Sequence, residues 1–310
     1  MSFKNKLQQE FISHCQLEEF NAIPLKHDAS ARRYTRLTRD LAKYILMDSS
    51  QEIGSVQPFV KTTNFLLTNE FSVPEIFVTD SETGFLLLED LGDITFNNYL
   101  KENPDAQNEL YKLALDILIK ISQIKTSDLD FPTHDKQTLL EGLKLFQKYY
   151  LKNDDSKFIE ICNKFLDQLN YEYNYLELRD YHADNLMILP NRGGINKIGI
   201  LDYQDASLGF LAYDLTSLIQ DARRWIEFED QDIYYDYFIS NIPNLDKEEF
   251  RKEYDILSFQ RNARIVGLFT KFAEEGKPEY LDYLKNVHRY IAHNLESPYL
   301  KEMHDYLASR

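Results

Sequence analysis

The sequence predicts an α+β protein of two lobes, with the boundary at a hinge near Asp90 to Gly92. Three observations predict this arrangement. Segments typical of strands and helices alternate at first, amphipathic helical periodicity dominates afterwards, and no repeat, low-complexity tract or flexible linker separates the two regions. We therefore expect an N-terminal lobe over residues 1–92 and a larger, mostly helical lobe over residues 93–310.

The N-terminal lobe begins with helical spacing and continues with segments typical of strands. Leu7, Phe11 and Leu17 recur at roughly helical intervals, and RRYTRL and KYILMD predict two strands joined by TRDLA. A helix is expected in PFVKTTNFLLTNEF, ending before Pro74. EIFVTD and GFLLLED are expected to pair as a hairpin across SETG. The predicted order after the first helix is strand, strand, helix, strand, strand.

Amphipathic helices are expected through most of the second lobe, because apolar residues recur there every three or four positions. The clearest segments are 105–125, 136–150, 155–169, 248–271 and 279–291. Another helix is expected over AYDLTSLIQDARRWI, with Arg223 and Arg224 at its C-terminal end, where the helix dipole favours cations. In contrast, LRDYHADNLMILPNRGGINKIGILDYQDA predicts a loop, a strand, a turn at Asn191 to Gly194, and a second strand.

Composition excludes several classes of function. The chain has 35 basic and 51 acidic residues, a formal charge of −16, so we expect no nucleic-acid partner. No window approaches the roughly 18 apolar residues that span a bilayer, and the first thirty residues do not resemble a signal peptide, so we expect a soluble, cytoplasmic protein without a membrane partner. Cys15 and Cys162 fit no zinc or disulfide pattern, and the ten glycines form no GxGxxG, GxxxxGK[ST] or GxSxG motif.

One polar cluster stands between apolar runs. Asp180 and Asn185 are five positions apart in LRDYHADNLMI, and Asp202 ends the apolar strand KIGILDY. A carboxylate, an amide and a second carboxylate can supply a proton acceptor and two hard oxygen ligands for Mg²⁺, as phosphoryl transfer requires. The same residue types also serve as turn and capping residues, so the spacing alone is a weak signal. The apolar surroundings favour a functional site, and HxD at His182 lacks a third ligand for zinc.

These motifs resemble the aminoglycoside phosphotransferase and choline kinase family. LRDYHADN is similar to the family's His-Gly-Asp-x4-Asn motif, LDYQDA to its Ile-Asp-Phe/Tyr metal motif, and AYDLTSL to the segment that braces the catalytic loop. Within the family, the chain most resembles the anomeric amino-sugar kinases of bacterial cell-wall recycling. That resemblance extends over DASARRYTRL, ILMDSS, GFLLLEDLG and LDYQDASLGFLAYDLTSLIQDARR.

The resemblance implies a protein-kinase-like fold that binds ATP and Mg²⁺ between its lobes and phosphorylates a small molecule. It implies Asp180 as the catalytic base, Asn185 and Asp202 as the magnesium ligands, and His182 and Asp214 as supports of the catalytic loop. Ser30, Ala31 and Arg32 would lie near the phosphates, and Glu89 and Leu91 near the adenine. Asp205 and Arg223 are candidates for contact with the acceptor.

Two departures from the family accompany the resemblance. Leu178 and Arg179 stand where the family has His and Gly, and Met47 stands where a kinase-like fold has its phosphate-binding lysine. Arg32, Arg33 or Lys43 could supply the missing charge. Three hypotheses follow: an amino-sugar kinase, a kinase for another small hydroxyl compound such as an aminoglycoside or choline, and a kinase-like binding or regulatory protein without turnover. The sequence leaves open the acceptor, the choice between ATP and GTP, and the oligomeric state.

Overall fold

A computed structural model describes residues 3–25 and 31–310 of the chain. Its internal contacts define two compact units. The first unit comprises Met1–Phe96 and Leu186–Asp205, and the second comprises Asn97–Asn185 and Ala206–Arg310. The boundary predicted near residue 92 remains a prediction about the lobes.

The helices and strands are numbered here in chain order. From residue 3 to residue 177 they are α1 (Phe3–His14), β1 (Asn21–Pro24), β2 (Arg33–Arg39), β3 (Ala42–Asp48), α2 (Val56–Thr68), β4 (Ile76–Asp80), β5 (Phe85–Glu89), α3 (Phe96–Glu102), α4 (Gln107–Ser122), α5 (Lys136–Leu145), α6 (Ser156–Leu166) and β6 (Tyr175–Glu177). The later elements are β7 (Leu186–Ile188), β8 (Ile198–Ile200), β9 (Ser207–Gly209), α7 (Leu211–Ile219), α8 (Phe228–Ser240), α9 (Lys247–Glu274), α10 (Leu284–Asn294) and α11 (Lys301–Ala308).

The first unit is built on a five-stranded antiparallel sheet in the order β1-β2-β3-β5-β4. Strands alternate their side chains between two faces, and one face of this sheet packs against α1. Its buried cluster contains Phe11, Leu17, Leu37, Leu46, Phe85 and Leu87. The predicted first helix, four strands and second helix are confirmed. The edge strand β1 was not predicted, because its four residues are all exposed and carry no alternating pattern.

The hairpin of β7 and β8 belongs to the first unit, and it confirms the predicted strand, turn and strand. Backbone hydrogen bonds attach both strands to that unit. The Ile188 N–H donates to the carbonyl of Ile94, and the Ile200 N–H donates to the carbonyl of Ser72, each at 2.8 Å. These bonds fix the position of the residues that follow β8.

The second unit is mostly helical, as predicted, and the 28-residue helix α9 contacts α5, α7 and α10. Gly267 lets α9 approach the end of α5 closely, because a Cβ atom there would lie 2.3 Å from the backbone of Leu145. None of the helices within residues 3–25 and 31–310 combines the length and hydrophobicity that a membrane crossing requires.

The helix predicted over AYDLTSLIQDARRWI is wrong in its second half. Helix α7 ends at Ile219, with Gln220 as its C-cap. The Asp221 carboxylate then accepts a hydrogen bond from the Arg223 N–H at 2.8 Å, a local turn that competes with continued helix. Arg223 and Arg224 therefore lie in a loop, and the helix dipole does not explain them.

Candidate functional site

The loop of residues 178–185 carries the predicted catalytic aspartate and closes on itself. The Asp180 N–H donates to the carbonyl of Leu178 at 2.9 Å, and the His182 N–H donates to the carbonyl of Asp180 at 3.0 Å. The Asn185 side chain also donates, through Nδ2, to the carbonyl of Asp180 at 3.0 Å. The five-residue spacing in the sequence therefore brings Asp180 and Asn185 into direct contact. Asp180 is half-buried, and its carboxylate accepts no hydrogen bond from any described residue.

Asp214 on α7 braces the start of this loop from within the second unit. Its Oδ2 accepts the N–H of Leu178 at 2.6 Å and its Oδ1 accepts the N–H of Arg179 at 2.9 Å. Burial, reinforced by the charge of Glu177, raises the pKa of Asp214 to about 7 despite these two bonds. The brace holds Arg179 at φ +72°, a left-handed backbone that costs a non-glycine residue about 1–2 kcal/mol.

A second buried carboxylate, which was not predicted from the sequence, braces the other end of the loop. Asp221 is fully buried, and its Oδ2 accepts the N–H of Ala183 at 3.1 Å. Burial raises its pKa above the usual range for a carboxyl group. An acidic residue inside an apolar run was the available signal, since a buried charge requires partners.

His182 lies in the middle of the loop with 6% of its surface exposed. Its Nε2 is 3.3 Å from Asn185 Nδ2 and 3.2 Å from an Arg223 guanidinium nitrogen. Arginine only donates, so Nε2 accepts and the ring hydrogen is on Nδ1. Burial, together with the charges of Arg223 and Arg261, holds the pKa of His182 well below its usual range. A neutral His182 therefore orients the amide of Asn185, a contact suited to loop support.

Arg223 approaches the same loop from the segment after α7. Its Nε is 3.5 Å from Asp184 Oδ2, and its guanidinium lies over the rings of Phe269 at 5.9 Å and Tyr283 at 5.7 Å. The side chain keeps 22% of its surface exposed. An arginine over two aromatic rings and beside the loop of residues 178–185 can both donate hydrogen bonds and present a stacking surface to a ligand.

Asp202 follows β8 in the first unit and is set by its neighbour Tyr203. The Tyr203 ring stacks on Phe59 of α2 at 5.4 Å, and its hydroxyl lies 2.8 Å from the hydroxyl of Thr63. Asp202 itself is exposed, has φ +59°, and accepts a hydrogen bond from Gln204 at 2.9 Å. Anchoring of the tyrosine therefore fixes an adjacent carboxylate in a left-handed conformation that aspartate tolerates.

The hairpin register relates the two predicted magnesium ligands along the chain. Leu186 is paired with Ile200, Asn185 directly precedes Leu186, and Asp202 follows Ile200 by two residues. Both donors are hard oxygens, the type that Mg²⁺ prefers. Asn185 uses Nδ2 for its contacts with the carbonyl of Asp180 and with His182 Nε2. Each of the two side chains, taken by itself, therefore carries an oxygen of the type that fits Mg²⁺. Asp205 is also exposed, 3.4 Å from Gln204.

The predicted adenine segment follows β5. The Glu89 N–H donates to the carbonyl of Glu75 at 2.8 Å, and the Glu89 carboxylate pairs with Arg192 at 2.5 Å. The Glu89 N–H is therefore committed within the first unit. Leu91 is half-buried, and its N–H donates to no acceptor among the described residues. The Leu91 N–H is accordingly a donor in this segment that a base could use.

Arg36 on β2 clamps the same segment, a role that was not predicted from the sequence. Its guanidinium pairs with Asp90 at 2.7 Å and Asp93 at 2.6 Å, and it donates to the carbonyl of Gly92 at 3.1 Å. The pair with Asp90 is largely shielded from solvent, with side-chain exposures of 14% and 3%. Three contacts from one side chain fix the path of the backbone around Leu91.

The predicted phosphate segment is described in part. Ser30 lies outside the described residues, and Ala31 is half-buried. Arg32 has only 5% of its surface exposed to solvent, and its Nε is 3.3 Å from the hydroxyl of Ser55. A buried guanidinium in this segment is consistent with a cation held for an anionic ligand.

The whole-chain comparisons agree with these local features. The model of the phosphotransferase enzyme family matches residues 21–254. The chain is 32% identical to the N-acetylmuramate/N-acetylglucosamine kinase of Pseudomonas aeruginosa, covering 93% of this chain and 88% of that one. It is 28% identical to the protein of the same name from Caulobacter vibrioides, covering 89% and 88% of the two chains.

Solved structures identify the fold. A choline kinase from Streptococcus pneumoniae superimposes with a TM-score of 0.65 at 12% identity, covering 94% of this chain and 99% of that one. Aminoglycoside 2'-phosphotransferase-IIIa, solved with GDP, gives a TM-score of 0.68 at 11% identity, covering 94% and 100%. The predicted kinase-like α+β fold is confirmed.

Proposed function

Because the chain belongs to the phosphotransferase enzyme family, we propose that it transfers the γ-phosphoryl group of ATP to the anomeric hydroxyl of an N-acetylated amino sugar. Support for the acceptor comes from four relatives, 27–32% identical over most of the chain, that are named N-acetylmuramate/N-acetylglucosamine kinases. A cytoplasmic location, where ATP is supplied, is part of the proposal.

The observation that carries the proposal is the closed loop of residues 178–185. It presents a half-buried carboxylate, Asp180, whose backbone carbonyl is bonded to Asn185. Two buried carboxylates, Asp214 and Asp221, hold the loop from opposite ends. A rigid support of this kind preorganises a catalytic group, so little reorganisation is needed during the reaction.

In the proposed reaction Asp180 orients the acceptor hydroxyl and accepts its proton. The hydroxyl oxygen forms a bond to the γ-phosphorus, and the bond from that phosphorus to the bridging oxygen breaks, releasing ADP. Asn185 and Asp202 would hold Mg²⁺, which neutralises phosphate charge when bound. Within the first unit, the Leu91 N–H would donate to the adenine and Arg32 would lie near the phosphates.

The acceptor would be recognised within the second unit. Arg223, beside His182 and Asp184 and over two aromatic rings, offers charge and a stacking surface close to Asp180. Sugars combine hydroxyl groups with an apolar face, which suits such a mixed surface. Asp205 is the second candidate contact, because it is exposed on the loop that follows Asp202.

Substrate profiling tests the proposal. The purified protein is incubated with Mg·ATP and, in separate reactions, N-acetylmuramate, N-acetylglucosamine, kanamycin and choline, while ADP release and product mass are followed. We expect an amino-sugar phosphate that mild acid hydrolyses, as anomeric phosphates are labile. Stimulation by kanamycin or choline alone would instead identify a kinase for another small hydroxyl compound. The net charge of −16 would favour the binding of such a cationic acceptor.

A second candidate function is binding or regulation without turnover, and one observation favours it. The resemblance to the family aligns Met47 with the phosphate-binding lysine, and the Met47 side chain is completely buried. If no acceptor stimulates ADP release, a titration with ATP distinguishes the remaining cases. Binding without turnover would support the regulatory function, and an absence of binding would reject both candidates.

A further inference from the structure

The first unit has to replace a missing cation if it binds a nucleotide as proposed. Met47 lies on β3 with none of its surface exposed, opposite Tyr34 of β2 and Leu86 of β5. Nucleotide phosphates carry several negative charges, and a thioether cannot neutralise them. A charged side chain on the same face of the sheet is therefore required.

Sheet register separates the three basic candidates. Residues directly opposed on an antiparallel ladder share a face, so Tyr34 and Met47 lie on one face. Arg32 directly precedes β2, and continuing the strand alternation by one residue assigns it to the face of Tyr34. Arg33 is paired with Asp48 and lies on the opposite face. Lys43 shares the face of Met47 but is four residues away, about 13 Å along the strand. Arg32 is the candidate nearest to the position of Met47.

The contacts of Arg32 agree with this placement. Its Nε is 3.3 Å from the Ser55 hydroxyl, which itself donates to the carbonyl of Glu52 at 2.7 Å. A second hydrogen bond joins Arg32 to the hydroxyl of Tyr34, and the charge of Asp202 also acts on that tyrosine. Arg32 is therefore joined to Tyr34, the residue paired with Met47 across the ladder.

Arg36, the next basic residue on this face, serves a different purpose. Its guanidinium is bound by the carboxylates of Asp90 and Asp93, which neutralise it at the adenine segment. We propose that Arg32, held by Tyr34 and Ser55, is the cation that contacts the nucleotide phosphates in place of the strand lysine. The inference rests on the proposed function, because it assumes nucleotide binding. A planar guanidinium can make paired hydrogen bonds to a phosphate, which lysine cannot.

Comparing the affinities for ADP and for adenosine distinguishes the loss of a phosphate contact from a general loss of nucleotide binding. Isothermal titration of the full chain compares the unaltered protein, Arg32→Gln, and the matched control Arg33→Gln, which changes an exposed arginine on the opposite face. We expect Arg32→Gln to weaken ADP roughly 10- to 100-fold and to leave adenosine unchanged, because only the phosphate contact is lost. Arg33→Gln should change neither affinity.

The outcomes distinguish this inference from the proposed function. Equal ADP affinity in Arg32→Gln and the unaltered protein would overturn the role of Arg32 while leaving the kinase proposal intact. Failure of the unaltered protein to bind ADP would reject the kinase proposal itself. If Arg32→Gln does not fold, Arg32→Lys, which keeps the charge but loses the paired geometry, should weaken ADP by roughly 3- to 10-fold with adenosine unchanged; an unchanged ADP affinity would then overturn the inference.

A rescue experiment adds a positive result to the same inference. Met47→Lys in the Arg32→Gln background restores a cation on the same face, opposite Tyr34. We expect it to recover part of the lost ADP affinity without changing that for adenosine. If Met47→Lys restores nothing in a folded double variant, the face shared by Arg32 and Met47 is not the one that meets the phosphates, and the proposal fails.

Discussion

The loop that carries Asp180 and the loop that carries Asp202 are held by opposite kinds of interaction. The first is braced by two buried carboxylates, Asp214 and Asp221, which accept backbone N–H groups. The second depends on neutral groups, since Tyr203 is fixed by a hydroxyl contact and ring stacking while Asp202 is exposed. Buried carboxylates change charge with pH, whereas neutral contacts do not, so the two loops should respond differently to pH and to mutation.

The largest effect should come from Asp180. We expect Asp180→Asn to lower turnover by at least about 10³-fold, because the acceptor hydroxyl loses its proton acceptor, with ADP affinity nearly unchanged. Steady-state kinetics and a nucleotide titration measure the two quantities. Asp236→Asn, an exposed carboxylate on α8, is the control. Substantial turnover in Asp180→Asn would show that another group takes the proton.

Asp202→Asn should have the next largest effect and should act on magnesium. We expect the Mg²⁺ concentration for half-maximal activity to rise roughly 10- to 100-fold, since one hard oxygen ligand loses its charge. Asp205→Asn, three residues later and also exposed, should keep the original Mg²⁺ requirement. An unchanged Mg²⁺ requirement in Asp202→Asn would show that this residue is not a magnesium ligand.

Much of this architecture is encoded locally and could be predicted. Helical and strand periodicity located most elements of the sheet and the helices, and the spacing of Asp180 and Asn185 predicted neighbours because a short loop joins them. The left-handed backbone at Arg179 could also be predicted from the sequence, because the motif that it resembles has glycine at that position.

The remaining features depend on contacts between residues distant in sequence. The bond between Asp221 and Ala183 spans 38 residues, and the clamp of Arg36 on Asp93 spans 57. Amphipathic periodicity describes one helix face and contains no information about such partners. The early end of α7 escaped prediction for a related reason, because the sequence around Asp221 suits a helix until its carboxylate bonds to the chain two residues on.

Buried Asp214 should couple the first loop to pH. Its folded pKa, about 7, lies above the ordinary value of 3.8, so the folded state binds the proton more tightly than the unfolded state. The contribution of Asp214 to the free energy of unfolding is therefore fully present below about pH 4. As the pH rises from about 4 to about 7, this contribution falls by up to about 1.4 kcal/mol per pH unit. Glu253 is half-buried, and desolvation raises its pKa to about 7, so it acts in the same direction.

Asp214→Asn separates the brace from its charge. We expect kcat to fall roughly 10- to 100-fold, because an amide can accept only one of the two backbone bonds. Urea unfolding at pH 5, 6 and 7 should show a smaller pH dependence than in the unaltered protein, and the remainder belongs to Glu253 and to Asp221, whose pKa is also raised by burial. Asp236→Asn, which removes an exposed carboxylate from α8, controls for the loss of one acidic group. An unaltered pH dependence in Asp214→Asn would mean that another group is responsible.

Arg179 should show the smallest effect and the clearest link between backbone and brace. Arg179→Gly relieves a left-handed strain of about 1–2 kcal/mol, but it adds unfolded-state entropy and loses the guanidinium over Tyr213 at 5.6 Å, each about 0.5–1 kcal/mol. We therefore expect a free energy of unfolding within about 1 kcal/mol of the original, whereas Arg179→Val, branched at Cβ, should cost about 1–2 kcal/mol more. Urea unfolding at pH 8 measures both variants. Equal losses of unfolding free energy in Arg179→Gly and Arg179→Val would show that the stability of the loop depends on the side chain of Arg179 and not on its backbone conformation. A loss confined to Arg179→Val would mean that Asp214 holds the backbone in a conformation for which glycine is the natural residue.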